Sequence, residues 1–578
     1  MRVLGIGDGF GAGAALVEDG VAKFAVSEER LSRIKNHSGY YHGFPYGSIE
    51  MALKSMRWEP DSLDHVTVSN CAFPPLPLRI LALSKSRPLG DADFLSRNEF
   101  SRTVNSRLYS LVSERESNSL FGRGSTSIYR TVLARKLNER FHIDRPIVFV
   151  DHHRAHASSA YYTQDHDDCL VITMDCHGDG LSGSVSIGSR GKLNRIAKFP
   201  ARDSLGSFYA AITSHLGFEH HRHEGKVTGL AAYGDPSVAE EDVKRMISYD
   251  PATRRLTNHL GRNQFISIRR VGRFLTQAYK PEDIAAAAQA HLERLVLQIV
   301  KGFLSDTGKT KILLAGGIFA NVKLNQRINE LPQVSYIYVH PGMGDEGLPV
   351  GAALASSAAK APFERHCLEN VFLGPGFEDD EVKQTLTTSG LPHVYDPNIE
   401  LTIAKLLATK KIVARFNGRM EYGPRALGNR SILFHAGDPS VNDWLNKKLK
   451  RTEFMPFAPA TLKEMAPAFY RKVETASYTA EFMTICFDCD PKFTELCPAV
   501  VHVDGTARPQ LVDRNGQESF YRTISEYEKL TGISSVINTS FNIHEEPIVC
   551  TPQDAIKAFE MADLDHLAIG NYLVSRAE

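Results

Sequence analysis

One pattern occurs twice in this chain and limits the folds open to it. Residues 3–6 form an apolar run that breaks into Gly7, Gly9, Gly11 and Gly13, then resumes over residues 14–17 before a turn at Glu18-Asp19-Gly20. Residues 169–174 are again apolar, break into Asp175-Cys176-His177-Gly178-Asp179-Gly180, and resume over residues 182–187. Each stretch reads as strand, tight glycine turn, strand. Residues 312–315 add a buried strand that enters Gly316-Gly317, and the pattern then turns helical over Val322–Asn329. Small residues ahead of a helix N-terminus leave room for a phosphate. A second turn, residues 342–346, leads into the small-residue run Gly351-Ala352-Ala353, and residues 281–306, ahead of both turns, are helical. The expectation is an α/β chain. Its two hairpins are either copies of one lobe design or unrelated β-hairpins.

The chain has 578 residues, enough for at least two domains. Around residues 356–363 the texture turns to Ala, Ser and Pro, and a fresh α/β pattern starts at Asn370. The expected division is therefore 1–362 and 363–578. Lys and Arg (67) balance Asp and Glu (67), so no basic excess draws the chain to nucleic acid or an anionic membrane. The opening Met1-Arg2-Val3-Leu4-Gly5-Ile6-Gly7 reads as a buried strand, not a signal peptide. No apolar run approaches the ~20 residues that span a bilayer. Eight cysteines in so long a chain do not make a disulfide framework, which points to a reducing, cytoplasmic setting. Cys486 and Cys489, with Cys497 nearby, lack a second Cys-x-x-Cys pair, and their spacing suits a strand and its turn; zinc is not expected there. Residues 74–135, rich in Ser, Arg and Leu, read as helices and loops, a lid or an acceptor-binding insertion without chemistry of its own.

Histidines mark the first candidate site. His152 and His156 lie in Asp151-His152-His153-Arg154-Ala155-His156, where an apolar strand gives way to a helical pattern. Four residues apart on a helix, they share a face and can chelate a metal if other segments bring carboxylates. The same spacing fits a plain helix-entry run. Asp175 at the end of the next strand and Asp345 in a glycine turn stand at positions facing a cleft between lobes. His153 points off the shared face. His220, His221 and His223 read as a solvated loop.

Arginines mark the second. Residues 417–431 place Arg419, Arg425 and Arg430 among glycines and a proline. The planar guanidinium matches phosphate and carboxylate, and glycine lets backbone approach a ligand. Pro456-Phe457-Ala458-Pro459, Arg508 within residues 504–510, and Asn538-Thr539-Ser540-Phe541-Asn542 follow in order.

These segments resemble the O-carbamoyltransferase family of antibiotic and nodulation-factor biosynthesis. The likeness is densest over residues 151–180, 204–234, 312–353, 411–463, 500–512 and 531–575. It implies an N-terminal two-lobed domain of the actin/sugar-kinase/Hsp70 ATPase fold and a C-terminal YrdC-like α/β domain. It implies a metal, usually iron(II), on His152, His156, Asp175 and Asp345. It implies nucleotide contacts at Gly178, Gly180, Glu224, Lys226, Gly316, Gly317 and Asn321. In the C-terminal domain Arg419, Arg425, Arg430, Arg451 and Arg508 would neutralise ATP, with Mg²⁺, and carbamoyl phosphate. Asn538 and Ser540 would hold the adenylate or the carbamoyl amide. The implied reaction makes carbamoyl-adenylate with Arg425 and Arg508, then transfers the carbamoyl group to a hydroxyl of a small-molecule acceptor, a secondary metabolite. Three positions, in two places, depart from the family pattern. Its histidine in the first turn is Phe10 here and an aspartate is Gly11, leaving Asp8 to bind or deprotonate the acceptor; a further arginine is Met455. A tRNA-threonylcarbamoylating enzyme and a nucleotide-binding protein without turnover are the alternative readings.

Overall fold

The computed structural model describes residues 1–72, 74–84, 120–448, 455–543 and 545–576, with side chains at all of these except 120–123 and 443–446. The polypeptide forms two compact units, Met1–Ser32 with Asn36–Cys367, and Arg33–Lys35 with Leu368–Glu578.

The first unit holds two five-stranded sheets. β1 (Arg2–Gly7), β2 (Gly13–Glu18), β3 (Val21–Ser27), β4 (His65–Ser69) and β5 (Ile147–Val150) lie in the order β3-β2-β1-β4-β5. The β1–β2 and β2–β3 pairs are antiparallel, and β1–β4 and β4–β5 are parallel. β6 (Cys169–Gly178), β7 (Leu181–Ser189) and β8 (Lys192–Pro200) build the second sheet with two later strands. A separate hairpin, β9 (Ile247–Asp250) and β10 (Arg255–Asn258), precedes those strands, β11 (Lys311–Ala315) and β12 (Tyr336–Val339). The order β8-β7-β6-β11-β12 repeats that of the first sheet, with the same antiparallel and parallel pairs. The two hairpins of the sequence are thus the leading strands of two copies of one lobe topology, the arrangement of the actin/sugar-kinase/Hsp70 ATPase fold.

Strands buried on both faces need apolar cover. β1 is buried from Val3 to Gly7. The helix Leu348–Lys360 and the helix His152–Tyr162 meet through Val150, Ala155, Leu348, Ala352 and Ala355. Their approach depends on Gly351: a Cβ there would lie 2.0 Å from the Ala155 carbonyl oxygen. Asp151 starts the helix His152–Tyr162 by accepting the Arg154 N–H at 2.9 Å. The long helix Pro281–Thr307 carries one buried face, from Ile284 through Leu304. The expected insertion, residues 74–135, is described only at its flanks, the helices Leu76–Ser84 and Leu120–Phe141; residues 85–119 lie outside the described residues.

The second unit is built on an eight-stranded mixed sheet. It contains β13 (His393–Tyr395), β14 (Val413–Phe416), β15 (Arg430–His435) and β16 (Ala458–Leu462), then a small separate pair, β17 (Phe487–Asp488) and β18 (Thr506–Ala507). β19 (Gln510–Val512), β20 (Ser535–Ser540), β21 (His566–Ile569) and β22 (Tyr572–Ser575) complete the order β13-β22-β21-β14-β15-β20-β16-β19. The helices Ile399–Ala408 and Glu518–Thr531 cover one face, packing Ile403, Leu407, Phe520, Ile524 and Tyr527 against Val413, Leu433, Ala460 and Val536.

Candidate functional sites

The close contact of the two helices at Gly351 brings Asp345, just ahead of one, beside His152 and His156 on the other. His156 Nε2 lies 3.1 Å from Asp175 Oδ2 and 3.4 Å from Asp345 Oδ1; His152 Nε2 lies 3.6 Å from each of the same atoms. All four donor atoms fall within 4.8 Å of one another. An ion about 2.1 Å from each donor needs donor separations of about 3 to 4.3 Å, so the cluster is near the required size. His152 Nε2 is buried and has no hydrogen-bond partner. Its other nitrogen, Nδ1, is 2.7 Å from Asn70 Oδ1, which fixes the hydrogen there and leaves the Nε2 lone pair facing the carboxylates. The residues therefore fit a divalent ion with mixed nitrogen and oxygen ligands.

The electrostatics of these four side chains agree with this. Burial works against charge on His156, yet the hydrogen bonds and charges of Asp175 and Asp345 outweigh it and push its pKa up to about 9. Burial alone would raise Asp175, but its interactions with His152 and His156 hold it well below the usual carboxylate range. Asp345 moves the other way, raised by burial and by the Asp175 charge. A cation in the centre would replace the proton that His156 otherwise carries. His153 is spent elsewhere, 3.0 Å from Thr173 Oγ1 and 3.2 Å from the Leu181 carbonyl.

The glycines expected at a nucleotide border this cluster. A Cβ at Gly178 would stand 2.1 Å from the His152 ring, so only glycine leaves that ring its place. Gly180 (φ +85°) closes the β6–β7 turn. Gly316 (φ +102°) lies against Met174, and a Cβ on Gly317 would be 3.0 Å from Asp175 Oδ1. Asn321 caps the helix Val322–Asn329, accepting the Leu324 N–H at 3.0 Å, and donates to Gln289 Oε1 at 2.8 Å and Thr228 Oγ1 at 3.3 Å. Thr228 belongs to the short helix Glu224–Leu230, so Asn321 sits beside the element carrying Glu224 and the buried Lys226. Glu224 Oε1 accepts the His221 N–H at 2.6 Å. His221 is not a bare loop histidine: its ring stacks at 5.3 Å on Phe10 and it bonds Gln264.

Asp8 is buried and its Oδ2 is engaged three times, by Arg79 Nε at 2.9 Å, Arg79 Nη2 at 2.7 Å and Tyr129 OH at 2.8 Å. Its Oδ1 is buried without a partner. Phe10 packs with Tyr40 and Tyr41, at 5.1 and 6.3 Å between ring centroids. A Cβ on Gly11 would lie 2.8 Å from the Glu346 N, so this turn rests on the Asp345 segment.

In the second unit the arginines divide by task. Arg430 is fully buried, donates to the carbonyls of Asn417, Gly418 and Asn429 at 2.7–3.1 Å, and lies 3.6 Å over the Phe416 ring. Arg419 donates to the carbonyls of Gly374 and Leu373. Both hold the loop in place. Arg508 lines a recess with Pro456, Phe457, Ala458 and Ala507, next to Met455. Arg425 is half-buried. Arg451 lies outside the described residues. Asn538 donates to the Ala426 carbonyl, which places it beside Arg425, and Ser540 pairs with Ser431 across β15 and β20.

Residues 2–354 match the family model described as "Carbamoyltransferase N-terminus", and residues 404–576 match "Carbamoyltransferase C-terminus". The chain belongs to the carbamoyltransferase family. It is 32% identical to nodulation protein NolNO of Sinorhizobium fredii over 575 residues, which covers 97% of this chain and 78% of that one. It is 34% identical to nodulation protein NolO of Bradyrhizobium diazoefficiens over 441 residues (74% and 79%). An uncharacterized protein of Methanocaldococcus jannaschii, MJ1051, is 31% identical over 590 residues and matches over the full length of both. Among solved structures, full-length HypF in its phosphate- and nucleotide-bound form aligns at 14% identity and a TM-score of 0.35 over 62% of this chain and 56% of that one.

This carbamoyltransferase depends on residues that the sequence did not single out. Glu421 Oε1 accepts the backbone N–H groups of Leu427, Asn429 and Arg430 at 2.7–2.9 Å, stapling the arginine loop from inside. Asn70, in the left-handed region at φ +78°, sets the His152 tautomer. A buried carboxylate among glycines and arginines was the available signal for Glu421; for Asn70 there was none.

Proposed function

We propose that this carbamoyltransferase is an ATP-dependent O-carbamoyltransferase. Its second unit forms carbamoyl-adenylate from carbamoyl phosphate and ATP-Mg²⁺, and its first unit passes the carbamoyl group to a hydroxyl of a small molecule, in keeping with secondary metabolism. The observation that carries the reading is the meeting of His152, His156, Asp175 and Asp345 around one point, in a chain whose two halves match the family's two domains. Iron(II) is the metal proposed for these four ligands. Such an ion would supply a fixed positive charge for phosphate oxygens or for the reacting carbonyl.

The chain's own residues do the rest. Asn70 orients His152. Gly316 packs on Met174 and leaves Gly317 exposed beside Asp175, where adenylate oxygens would approach. Lys226 and Glu224 lie on the neighbouring helix for the nucleotide. In the second unit Arg425 and Arg508 balance the charge of two anionic substrates and hold them for in-line displacement of pyrophosphate. Arg430, Arg419 and Glu421 keep the loop that carries Arg425 in shape. Asp8, clamped by Arg79 and Tyr129, presents only Oδ1 toward an acceptor hydroxyl.

The test is a mass-spectrometric screen of hydroxyl compounds with protein, ATP, Mg²⁺ and carbamoyl phosphate, run on metal-depleted and iron-reconstituted enzyme. A carbamate ester formed only by reconstituted enzyme supports the reading. Esters formed equally without metal, and by a His156→Ala variant, contradict it.

A further inference from the structure

We infer that Arg79 is a positioning residue for the metal centre as well as for Asp8: acting through Asn70, it holds His152 in the orientation that a bound ion requires. The inference rests on the metal-site reading above. Arg79 stands on the helix Leu76–Ser84, outside every motif of the sequence, and is buried at 3% exposure against Asp8 at 3%.

An ion pair alone would need only one partner. Nε and Nη2 of Arg79 meet Asp8 Oδ2 at 2.9 and 2.7 Å. The same fork also reaches the backbone: Nη1 donates to the Cys71 carbonyl at 3.2 Å and Nη2 to the Asn70 carbonyl at 3.3 Å. The guanidinium is held flat against Tyr129, 3.8 Å from the ring centroid, and the Tyr129 hydroxyl donates to the same Asp8 oxygen at 2.8 Å. A planar guanidinium can serve one carboxylate and two carbonyls at once; a single ammonium cannot match that geometry.

Those carbonyls belong to the segment that orients His152. Asn70 sits at φ +78°, a conformation that residues other than glycine keep only where their surroundings hold it. Its Oδ1 lies 2.7 Å from His152 Nδ1. The next two residues grip Asp179, with the Cys71 N–H 2.8 Å from Oδ2 and the Ala72 N–H 2.7 Å from Oδ1. Asp179 Oδ2 also accepts the His152 N–H at 3.0 Å. Residues 70–72 thus touch His152 directly and through Asp179, while Arg79 holds their carbonyls. Without the fork those carbonyls lose a donor, the left-handed turn loses its brace, and Asn70 no longer fixes the His152 ring. The carboxylate proposed for the acceptor and a ligand proposed for the metal therefore depend on one side chain.

Cobalt(II) is the probe for the full-length protein, read by its visible absorption band and by competition with a chelator. Arg79→Lys keeps a charge for Asp8 and gives up the fork. Loss of a group that orients a metal ligand weakens binding about 10- to 100-fold. Arg79 acts through such a group, so Arg79→Lys is expected to weaken cobalt binding about tenfold and to alter the band. Arg79→Gln serves the same comparison should Arg79→Lys fail to fold. Because the effect runs through Asn70, the double variant with Asn70→Ala should bind no more weakly than Asn70→Ala alone. A merely structural Arg79 would lower the thermal midpoint and leave the affinity and the band of the folded protein as in the wild type. That result, or losses that multiply in the double variant, overturns the inference; tight cobalt binding by the wild type would then leave the metal-site reading standing. A wild type that binds cobalt no better than His156→Ala overturns both.

Discussion

Glu421 and Asn70 show how much of this protein's chemistry is delegated to groups that would touch no substrate. One oxygen of Glu421 receives three backbone N–H groups of the arginine loop. Glu421→Ala leaves those donors buried and unmatched, at a cost of about 3 kcal/mol or more. The expected result is a lower thermal midpoint and loss of adenylate formation, with Glu421→Gln retaining more of both. Asn70 holds Nδ1 of His152, and removal of such an outer partner weakens metal sites about 10- to 100-fold. Asn70→Ala should therefore lower metal affinity by that factor in a chelator competition, while His156→Ala abolishes tight binding. Unchanged affinity in Asn70→Ala would remove its assigned role. The legible residues were those whose type announces their chemistry: His152, His156, Asp175 and Asp345 do come together, within 4.8 Å. What could not be read was who holds them. Asp8 finds Arg79 and Tyr129, 71 and 121 residues away, in a stretch that carried no motif. Likewise Arg430 and Arg425 look alike in sequence, yet Arg430 is fully buried under the loop's own carbonyls.

At the scale of elements, apolar runs bounded by glycine were a sound guide to strands, because β1, β6 and β11 are buried and have no solvent face to blur the pattern. The helix Val322–Asn329 was legible for a related reason: Asn321 is its N-cap. Less legible was why small residues recur in Leu348–Lys360. Gly351 is there to let that helix reach the Ala155 carbonyl, and this contact sets the distance between Asp345 and His156. Gly351→Ala forces a Cβ into a 2.0 Å contact with backbone. It should lower both the unfolding midpoint and the metal content of the purified protein. A variant with full stability and full metal content would show that the helix contact does not position the site.

For the whole molecule, the proposed function gives each half-reaction to its own unit. Arg425→Ala should abolish pyrophosphate formation and leave metal content intact; His156→Ala should do the reverse and abolish only transfer. Stability should also respond to acid in a defined window. His37, His65, His291 and His340 are buried, and burial pulls each from 6.5 down to about 4. Between those values the unfolded chain binds protons at these four positions that the folded chain does not, so their contribution to stability is full above pH 6.5 and declines until the pH passes about 4. Chemical denaturation midpoints across that range check the sign: a midpoint that rises on acidification contradicts it.

The most direct measurement is pyrophosphate release by purified protein given carbamoyl phosphate, ATP and Mg²⁺ without any acceptor, with mass-spectrometric detection of AMP or carbamoyl-adenylate. The account predicts release that needs both substrates and disappears in Arg425→Ala. Folded, metal-loaded protein that releases no pyrophosphate, or releases it equally without carbamoyl phosphate, would contradict it.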